Sequence, residues 1–322
     1  MKAITYLRYG PPEVLQYAEI DDPVPGDGDL LVKVRAAAAN PVDWHFIRGV
    51  PYFMRLISGV RRPKKGIPGV DFAGVVQAAG TGVTELRPGD EVYGPCMGAF
   101  AEYLCVPQGK VARKPVGLTF EQAAAVPLAG LTALQLLRDS ARLGAGQRVL
   151  VIGASGGVGT CAVQIARAMG AHVTGVCSSG KLDLVRSLGA DEVIDYTRED
   201  FLERDERWDV VLQLAGTTPP SRLRRALTRE GTLILCSGES SGRWIGPLSR
   251  TLKALALSPF VSQKLVAPIA HERKEDLEHL TALIEGGELT PVVDRTYPLS
   301  ETAEAIRYLE QGHARGKIVL VV

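Results

Sequence analysis

The chain lacks the cysteine and histidine patterns of a disulfide framework or a structural metal site. Its 322 residues include five cysteines, an odd number, scattered through apolar runs without a CxxC pair. This usage is typical of free thiols in a reducing compartment. Cys96 and Cys105 could supply at most half of a tetrahedral zinc site, and the histidines show no ligand spacing with them. We therefore expect no bound metal.

An excess of charge of one sign is also absent. Lys and Arg number 37 and Asp and Glu number 36, so the formal net charge is only +1. This balance argues against nucleic acid as a partner, and we expect a small-molecule substrate instead. One short basic cluster, Arg61, Arg62, Lys64 and Lys65, lacks interleaved aromatic residues. It indicates a solvated loop or, alternatively, a mouth that attracts an acidic substrate.

No uninterrupted apolar run is long enough to cross a bilayer. The opening residues, MKAITYLRYG, predict an amphipathic strand with charges inside it rather than a signal peptide or a membrane span. An apolar segment at 244–270 is broken by prolines and cationic residues, and it could line a substrate pocket, form a dimer contact or touch a membrane surface. We expect a cytoplasmic protein with no integral membrane span.

What is present is the pattern of a two-domain α/β protein. Up to about residue 120 the sequence is strand-rich and punctuated by Gly and Pro, and strands then alternate with helices until about residue 265. Such alternation predicts a doubly wound parallel sheet. We predict a β-rich catalytic domain formed by residues 1–122 and 266–322, and a dinucleotide-binding domain formed by residues 123–265.

The most informative motif is VLVIGASGGVG at 149–159. Its first residues predict a buried parallel strand, and the apolar spacing after its glycines predicts a helix. Glycines at such a turn let a pyrophosphate approach the backbone, while the helix N-terminus supplies N–H groups and a positive dipole end. A turn with purely conformational glycines is the alternative, but a second predicted strand at 171–176 completes a βαβ unit.

The tip of that second strand indicates which dinucleotide binds. Proteins that prefer NAD place Asp or Glu there on the ribose hydroxyl, whereas this sequence has Cys177 followed by Ser178, Ser179 and Lys181. Two hydroxyls and an ammonium can hydrogen-bond and neutralise a 2′-phosphate. We therefore predict NADPH as the cofactor; a solvated loop at a helix start is the alternative interpretation.

Several further motifs occur in a defined order along the chain. They are NPVD at 40–43, GVDFAGVV at 69–76, RPGDEVYG at 87–94, GAFAEY at 98–103, AVPLAGLTA at 125–133, the glycine loop and GHARGKIVL at 312–320. Together they resemble the medium-chain dehydrogenase/reductase superfamily, in its zinc-free quinone oxidoreductase branch. The resemblance covers essentially the whole chain and implies a GroES-like fold for the β-rich domain. We also expect a homodimer.

Departures from the zinc alcohol dehydrogenases imply chemistry without a metal. This sequence has Asn40 where those enzymes carry their first catalytic Cys, and Val70 and Asp71 where they carry a His-Glu pair. Without a Lewis acid, simple alcohols become poor substrates. A conjugated acceptor can instead take hydride at carbon and spread its negative charge into an enolate or a hydroquinone anion.

The resemblance implies that Asn40 lies beside the nicotinamide, where its amide could hydrogen-bond the ring carboxamide or the substrate carbonyl. A turn former before a proline is the alternative role. Related reductases often carry Tyr five residues further on, where this chain has His45. His45 is one candidate proton donor and Tyr52 another, with structural roles as the alternatives for both. Asp43 is expected to orient this segment.

For the cofactor, the resemblance implies contacts from several parts of the chain. The residues are Ser155, Gly156, Gly157 and Val158 for the pyrophosphate, Ser178, Lys181 and Tyr196 for the 2′-phosphate or adenosine edge, Thr132, Ser237 and Gly238 for the nicotinamide side, and Arg315 and Lys317 for closure over phosphate. Tyr196 could equally be an ordinary surface aromatic residue. Arg315 and Lys317 could equally form a solvated turn.

We therefore expect an NADPH-dependent reductase of quinones or α,β-unsaturated carbonyls. Two alternatives stay open. One is a biosynthetic reductase in which hydride addition to an enoyl or polyene substrate drives reduction or ring closure. The other is a low-turnover protein that senses NADPH, because the sequence alone assures no proton donor.

Overall fold

The computed structural model describes residues 1–64, 66–236, 244, 246 and 248–322. Within this part of the chain, residues group into two compact units. The first unit comprises Met1–Leu131, Glu272–Gly287 and Pro291–Val322, and the second comprises Thr132–His271 and Glu288–Thr290.

The described residues form strands and helices in mixed order, joined by 3₁₀ turns and one π-helical turn. The strands are β1 (Lys2–Thr5), β2 (Gln16–Glu19), β3 (Asp29–Ala39), β4 (Asp71–Ala79), β5 (Glu91–Pro95), β6 (Tyr103–Pro107), β7 (Ala112–Arg113), β8 (Arg148–Ile152), β9 (His172–Cys177), β10 (Glu192–Asp195), β11 (Trp208–Gln213), β12 (Leu227–Leu235), β13 (Lys264–Val266), β14 (Val293–Pro298) and β15 (Lys317–Val321). The helices are α1 (Pro41–Arg48), α2 (Arg55–Ser58), α3 (Phe120–Ala124), α4 (Pro127–Gln135), α5 (Gly157–Ala168), α6 (Leu182–Ser187), α7 (Pro220–Leu223), α8 (Leu248–Leu257), α9 (Lys274–Glu285) and α10 (Thr302–Glu310).

The first unit is built on a seven-stranded sheet with the order β14-β15-β3-β4-β5-β7, and β6 also pairs with β3. All neighbours are antiparallel except β14 and β15. Leu30, Val32 and Val34 alternate along β3 and are buried in the core, as expected for a half-buried strand. Because β15 pairs with β3, the C-terminal strand completes a sheet that N-terminal residues begin.

The second unit is built on a six-stranded sheet with the order β10-β9-β8-β11-β12-β13. Every neighbouring pair in it is parallel. This is the strand order of a dinucleotide-binding fold, and it confirms the predicted doubly wound sheet. The sequence did not predict β13, because this three-residue strand lies in a segment that prolines interrupt.

The borders between the two compact units fall after Leu131 and after His271. Helix α3 packs against β3 and β4, so it belongs to the first unit. At the other border, the Gln135 side-chain amide exchanges two hydrogen bonds of 2.8 Å with the backbone of His271. This pair keeps the chain up to His271 in the second unit.

The apolar segment at 244–270 contains α8, a short turn and β13 in its described residues. No helix in the described part of the chain is long and apolar enough to cross a bilayer. Helix α8 buries Ala254, whereas Leu252, Leu255 and Phe260 are exposed. The segment is therefore only partly covered by its own unit.

Candidate functional site

A buried polar cluster lies where three strand ends of the first unit meet. Asn40 follows β3, Asp71 begins β4 and Lys317 begins β15. The pairing of β3 with both β4 and β15 brings these ends side by side. Only 3%, 0% and 5% of the three residues is exposed. Two opposite charges and an amide are therefore held together away from water.

Hydrogen bonds within the cluster determine the orientation of the Asn40 amide. Lys317 Nζ donates to Asn40 Oδ1 at 2.5 Å and to Asp71 Oδ2 at 3.1 Å. Asn40 Nδ2 donates to Asp71 Oδ2 at 2.9 Å and to the Ala38 carbonyl at 3.2 Å. Asp71 Oδ1 accepts from the Leu128 backbone N–H at 2.9 Å. Because an ammonium can only donate, the Asn40 oxygen faces Lys317 and both amide hydrogens are used.

Asp43 joins this cluster from the first turn of α1. One of its oxygens accepts from the Asn40 backbone N–H at 2.7 Å, and the other is buried without a hydrogen-bond partner among the described residues. Burial raises the pKa of Asp43 to about 7. Burial also raises the pKa of Asp71, although the Lys317 ammonium opposes that change. Asp43 thus orients the backbone where α1 begins.

The two candidate proton donors lie on α1 and shortly after it. His45 is buried, and its Nδ1 lies 2.7 Å from the Val50 carbonyl oxygen, so Nδ1 carries the hydrogen that this bond needs. Burial lowers the pKa of His45, which favours a neutral ring with a lone pair on Nε2. Tyr52 is half-buried, and the guanidinium of Arg55 lies 4.8 Å from its ring centroid.

The glycine loop joins β8 to α5 as the sequence predicts. Gly153 has φ +89°, a backbone conformation that side chains disfavour. A Cβ on Gly159 would lie 2.1 Å from the Gly153 carbonyl oxygen, so that position also requires glycine. The first helical turn has N–H groups without intrahelical acceptors, which can bind an anion. The loop and this turn contain the predicted pyrophosphate residues Ser155, Gly156, Gly157 and Val158.

The ends of β9 and β10 bring together the three residues predicted for the 2′-phosphate. The Tyr196 N–H donates to the Cys177 carbonyl at 3.2 Å, which places Tyr196 beside the residue that follows β9. That residue is Ser178, and its carbonyl accepts from the Lys181 N–H at 2.9 Å. Ser178, Lys181 and Tyr196 therefore share one edge of the parallel sheet.

Sequence analysis missed an acidic side chain at this edge. Asp195 accepts from the Ser179 hydroxyl at 2.5 Å and from the Thr197 hydroxyl at 2.6 Å, and these bonds lower its pKa. It also forms a 3.5 Å ion pair with Arg198. Asp195 ends β10, so only the parallel pairing of β9 with β10 places it beside the β9 tip. The Ser179 hydroxyl is already engaged by this carboxylate.

The remaining predicted residues do not form one group. Thr132 is buried on α4. Arg315 is exposed, whereas Lys317, two residues later, is buried in the polar cluster. This separation arises because Lys317 is the first residue of an inner strand and Arg315 precedes that strand. Ser237 and Gly238 lie outside the described residues.

Both halves of the chain match known families, and the whole chain is similar to named reductases. Residues 26–116 match the alcohol dehydrogenase GroES-like domain, and residues 188–320 match the zinc-binding dehydrogenase family. The chain is 32% identical to the chloroplast envelope quinone oxidoreductase homolog of Arabidopsis thaliana, across 99% of this chain and 98% of that protein. The chain belongs to the medium-chain dehydrogenase/reductase superfamily, in its quinone oxidoreductase branch.

Other members of the superfamily show the same similarity. The chain is 34% identical to the chloroplastic NADPH-dependent alkenal/one oxidoreductase of Arabidopsis thaliana, across 99% of this chain and 79% of that protein. The crystal structure of Escherichia coli quinone oxidoreductase complexed with NADPH superimposes with a TM-score of 0.86 and 29% identity, covering 100% of both chains. The similarity to this quinone oxidoreductase therefore extends over both units.

One matched family name implies zinc, but the donor atoms around Asp71 in this chain do not fit a catalytic zinc ion. Both oxygens of Asp71 are engaged by Asn40, Lys317 and the Leu128 N–H. The ammonium of Lys317 already compensates that carboxylate. Among the described residues, no group of three or more His, Cys, Asp and Glu side chains could hold a metal ion.

Replacing Lys317 by Met should destabilise the protein strongly, because the Asp71 carboxyl would stay buried without its cation. Breaking a buried pair in this way costs about 3–5 kcal/mol of unfolding free energy. The double variant Lys317→Met/Asp71→Asn should recover much of the loss, since it removes the uncompensated acid. Urea unfolding measures all of these free energies.

The matched control for this cycle is Lys2→Met, which removes the exposed ion pair with Glu19. It should change the unfolding free energy by about 1 kcal/mol or less. If Lys317→Met and Lys2→Met lower the unfolding free energy by the same amount, the Lys317 ammonium does not stabilise the buried Asp71 carboxylate as proposed.

The stability difference between Asp43→Asn and the wild type should depend on pH. Because the folded protein holds the Asp43 proton up to about pH 7 and the unfolded chain releases it near its ordinary pKa of 3.8, folding takes up a proton in that window. The wild type therefore loses stability relative to the variant as pH rises from 4 to 7, by on the order of 4 kcal/mol. Unfolding curves of both proteins across this range test it; a constant difference would contradict the raised pKa.

Proposed function

We propose that this protein is an NADPH-dependent reductase that transfers hydride to a quinone or an α,β-unsaturated carbonyl without zinc. The observation that carries the proposal is the buried cluster of Asn40, Asp71 and Lys317. Asn40 and Asp71 stand where the resemblance aligns a catalytic Cys and the His-Glu pair of the zinc alcohol dehydrogenases, and the Lys317 ammonium compensates Asp71. The names of the two Arabidopsis relatives, a quinone oxidoreductase homolog and an alkenal/one oxidoreductase, support both acceptor classes.

When bound, the cofactor supplies a hydride from its nicotinamide ring. The chain's own part is to orient the reactants and to compensate the negative charge that develops on the acceptor. Both amide hydrogens of Asn40 are used within the cluster, so its oxygen, with one further lone pair, is the atom available to a ligand. We therefore propose that Asn40 accepts a hydrogen bond from the ring carboxamide rather than donating one to the substrate.

Tyr52 is our choice for the proton donor, and His45 our choice for a structural role. His45 donates from Nδ1 to Val50, so it could release a proton from Nε2 only as an imidazolium, and burial disfavours that charge. The Val50 N–H in turn donates to the His45 carbonyl at 3.2 Å, so the pair holds the end of α1. A phenol carries its proton at neutral pH without prior charging.

The preference for NADPH is supported by Ser178, Lys181 and Tyr196, which share the sheet edge at the end of β9. An ammonium and a hydroxyl are suitable donors to a 2′-phosphate. Asp195 opposes this preference, because an ionised carboxylate repels phosphate, but Arg198 partly compensates its charge. The glycine loop before α5 would hold the pyrophosphate in either dinucleotide.

The free thiol state of all five cysteines supports our proposal of a cytoplasmic location. We also propose a homodimer. The exposed Leu252, Leu255 and Phe260 offer apolar surface that a second copy could cover. Sedimentation of the purified protein distinguishes a dimer from a monomer.

The reductase proposal is tested by following NADPH consumption with a panel of quinones, enones and enoyl compounds. We expect turnover with quinones or simple enones, and Tyr52→Phe should lower kcat roughly a hundredfold or more, since general acid catalysis contributes at least that much. His45→Gln, whose amide can still donate to Val50, serves as the matched variant and should retain most of the activity.

Other outcomes of that panel point elsewhere. Tight NADPH binding without consumption by any acceptor would favour the sensor, and turnover of bulky enoyl or polyene substrates alone would favour the biosynthetic reductase. A large loss in His45→Gln with full activity in Tyr52→Phe would reverse our assignment of the donor.

Lys181→Met should weaken NADPH binding selectively. A charge-assisted hydrogen bond contributes about 1.5–3 kcal/mol, so the dissociation constant for NADPH should rise roughly tenfold to a hundredfold. NADH lacks the 2′-phosphate and is the internal control, and its dissociation constant should stay unchanged. Calorimetric titration measures both. Equal weakening for NADH and NADPH would show that Lys181 does not contact the 2′-phosphate.

A further inference from the structure

A group of aliphatic side chains is exposed on the first unit, close in sequence to Tyr52. Leu56 and Ile57 on α2 are 73% and 71% exposed, and Val60 just after that helix is 65% exposed. Leu7, which follows β1, is 79% exposed. Single exposed aliphatic residues are common, but a contiguous group of them indicates a contact surface.

Hydrogen bonds join the segment that contains Leu7 to the segment that contains Leu56, Ile57 and Val60. The Tyr9 hydroxyl donates to the Gly59 carbonyl at 2.6 Å and lies 2.8 Å from the Ser58 hydroxyl. The Tyr6 N–H donates to the Gly66 carbonyl at 2.8 Å. Residues 7 and 8 lie between these two attachments, so they adjoin the segment that follows α2.

The same segments carry positive charge that no acid compensates. Arg8, Arg61, Arg62 and Lys64 are exposed and form no ion pair with any described residue. From residue 44 to residue 70 the sequence contains neither Asp nor Glu. A protein whose formal net charge is only +1 therefore concentrates cations around its exposed aliphatic side chains.

We propose that this surface, which we call the docking surface and define by Leu7, Leu56, Ile57, Val60, Arg61 and Arg62, binds the face of an anionic lipid bilayer. Aliphatic side chains beside cations suit the boundary between lipid headgroups and acyl chains. There the aliphatic side chains lose their contact with water, and the cations meet anionic headgroups.

Two other occupants fit the observations less well. Nucleic acid would pair with the cations but leave Leu56 and Ile57 in water, and none of the aromatic residues from 44 to 64 is exposed for base stacking. A second copy that used the same surface symmetrically would bring like charges together. An anionic bilayer complements both the charge and the apolar area.

Docking to a bilayer would also matter for the proposed reductase activity, although the docking proposal does not depend on that activity. Quinones with apolar tails and long-chain alkenals partition into bilayers. A reductase held at the bilayer face would meet such acceptors where they are concentrated.

The test is cosedimentation of the full chain with phosphatidylcholine vesicles and with vesicles that also contain phosphatidylserine. We expect binding to the phosphatidylserine vesicles that weakens as salt is added. Arg61→Gln/Arg62→Gln should reduce the partition coefficient about 25-fold, since each cation near an anionic surface contributes about fivefold. Leu56→Ser/Ile57→Ser should reduce binding at unchanged charge.

The matched control is Val24→Ser/Val116→Ser, which removes two exposed valines outside the docking surface and the proposed dimer contact and should leave binding unchanged. Unchanged thermal midpoints and NADPH affinity would show that all variants are folded. The proposal is overturned if neither vesicle binds the protein, if both bind it equally, or if only the control variant loses binding. NADPH turnover is measured separately, so failure of docking and failure of the reductase proposal are distinguishable.

Discussion

The compensation of a buried carboxylate by a buried ammonium is the interaction on which the first unit depends. Asp71 and Lys317 begin the two strands that flank β3, and Asn40 joins them from the end of β3. Burying either charge alone would cost folding free energy. The pair is tolerated because each charge compensates the other and hydrogen bonds satisfy the remaining polar atoms of the cluster. The C-terminal strand is therefore tied chemically, as well as by backbone pairing, to residues near the N-terminus.

The same interaction shapes the chemistry that the site can perform. It uses both hydrogens of the Asn40 amide and leaves oxygen as the available atom, so the amide is prepared to accept rather than to donate. It also places the Lys317 ammonium beside the Asn40 oxygen.

Much of the second unit could be predicted from sequence because its signals are local. Val149 to Ile152 form a continuous apolar run, glycines follow at once, and helical spacing begins directly after them. Such patterns depend on neighbouring residues and are visible without the fold. Asp195 was missed for the opposite reason, since its place beside Ser179 depends on which strand pairs with β9.

The sequence by itself determined the doubly wound sheet and the glycine loop, because periodicity and glycine spacing are written along the chain. The superfamily was indicated by the resemblance of its ordered motifs. The same resemblance indicated Asn40 as a site residue. Only the tertiary structure decided that Lys317 lies against Asn40 and Asp71. Residues separated by 277 positions meet there through strand pairing, and no local pattern in a single sequence records which distant side chain will compensate a buried charge.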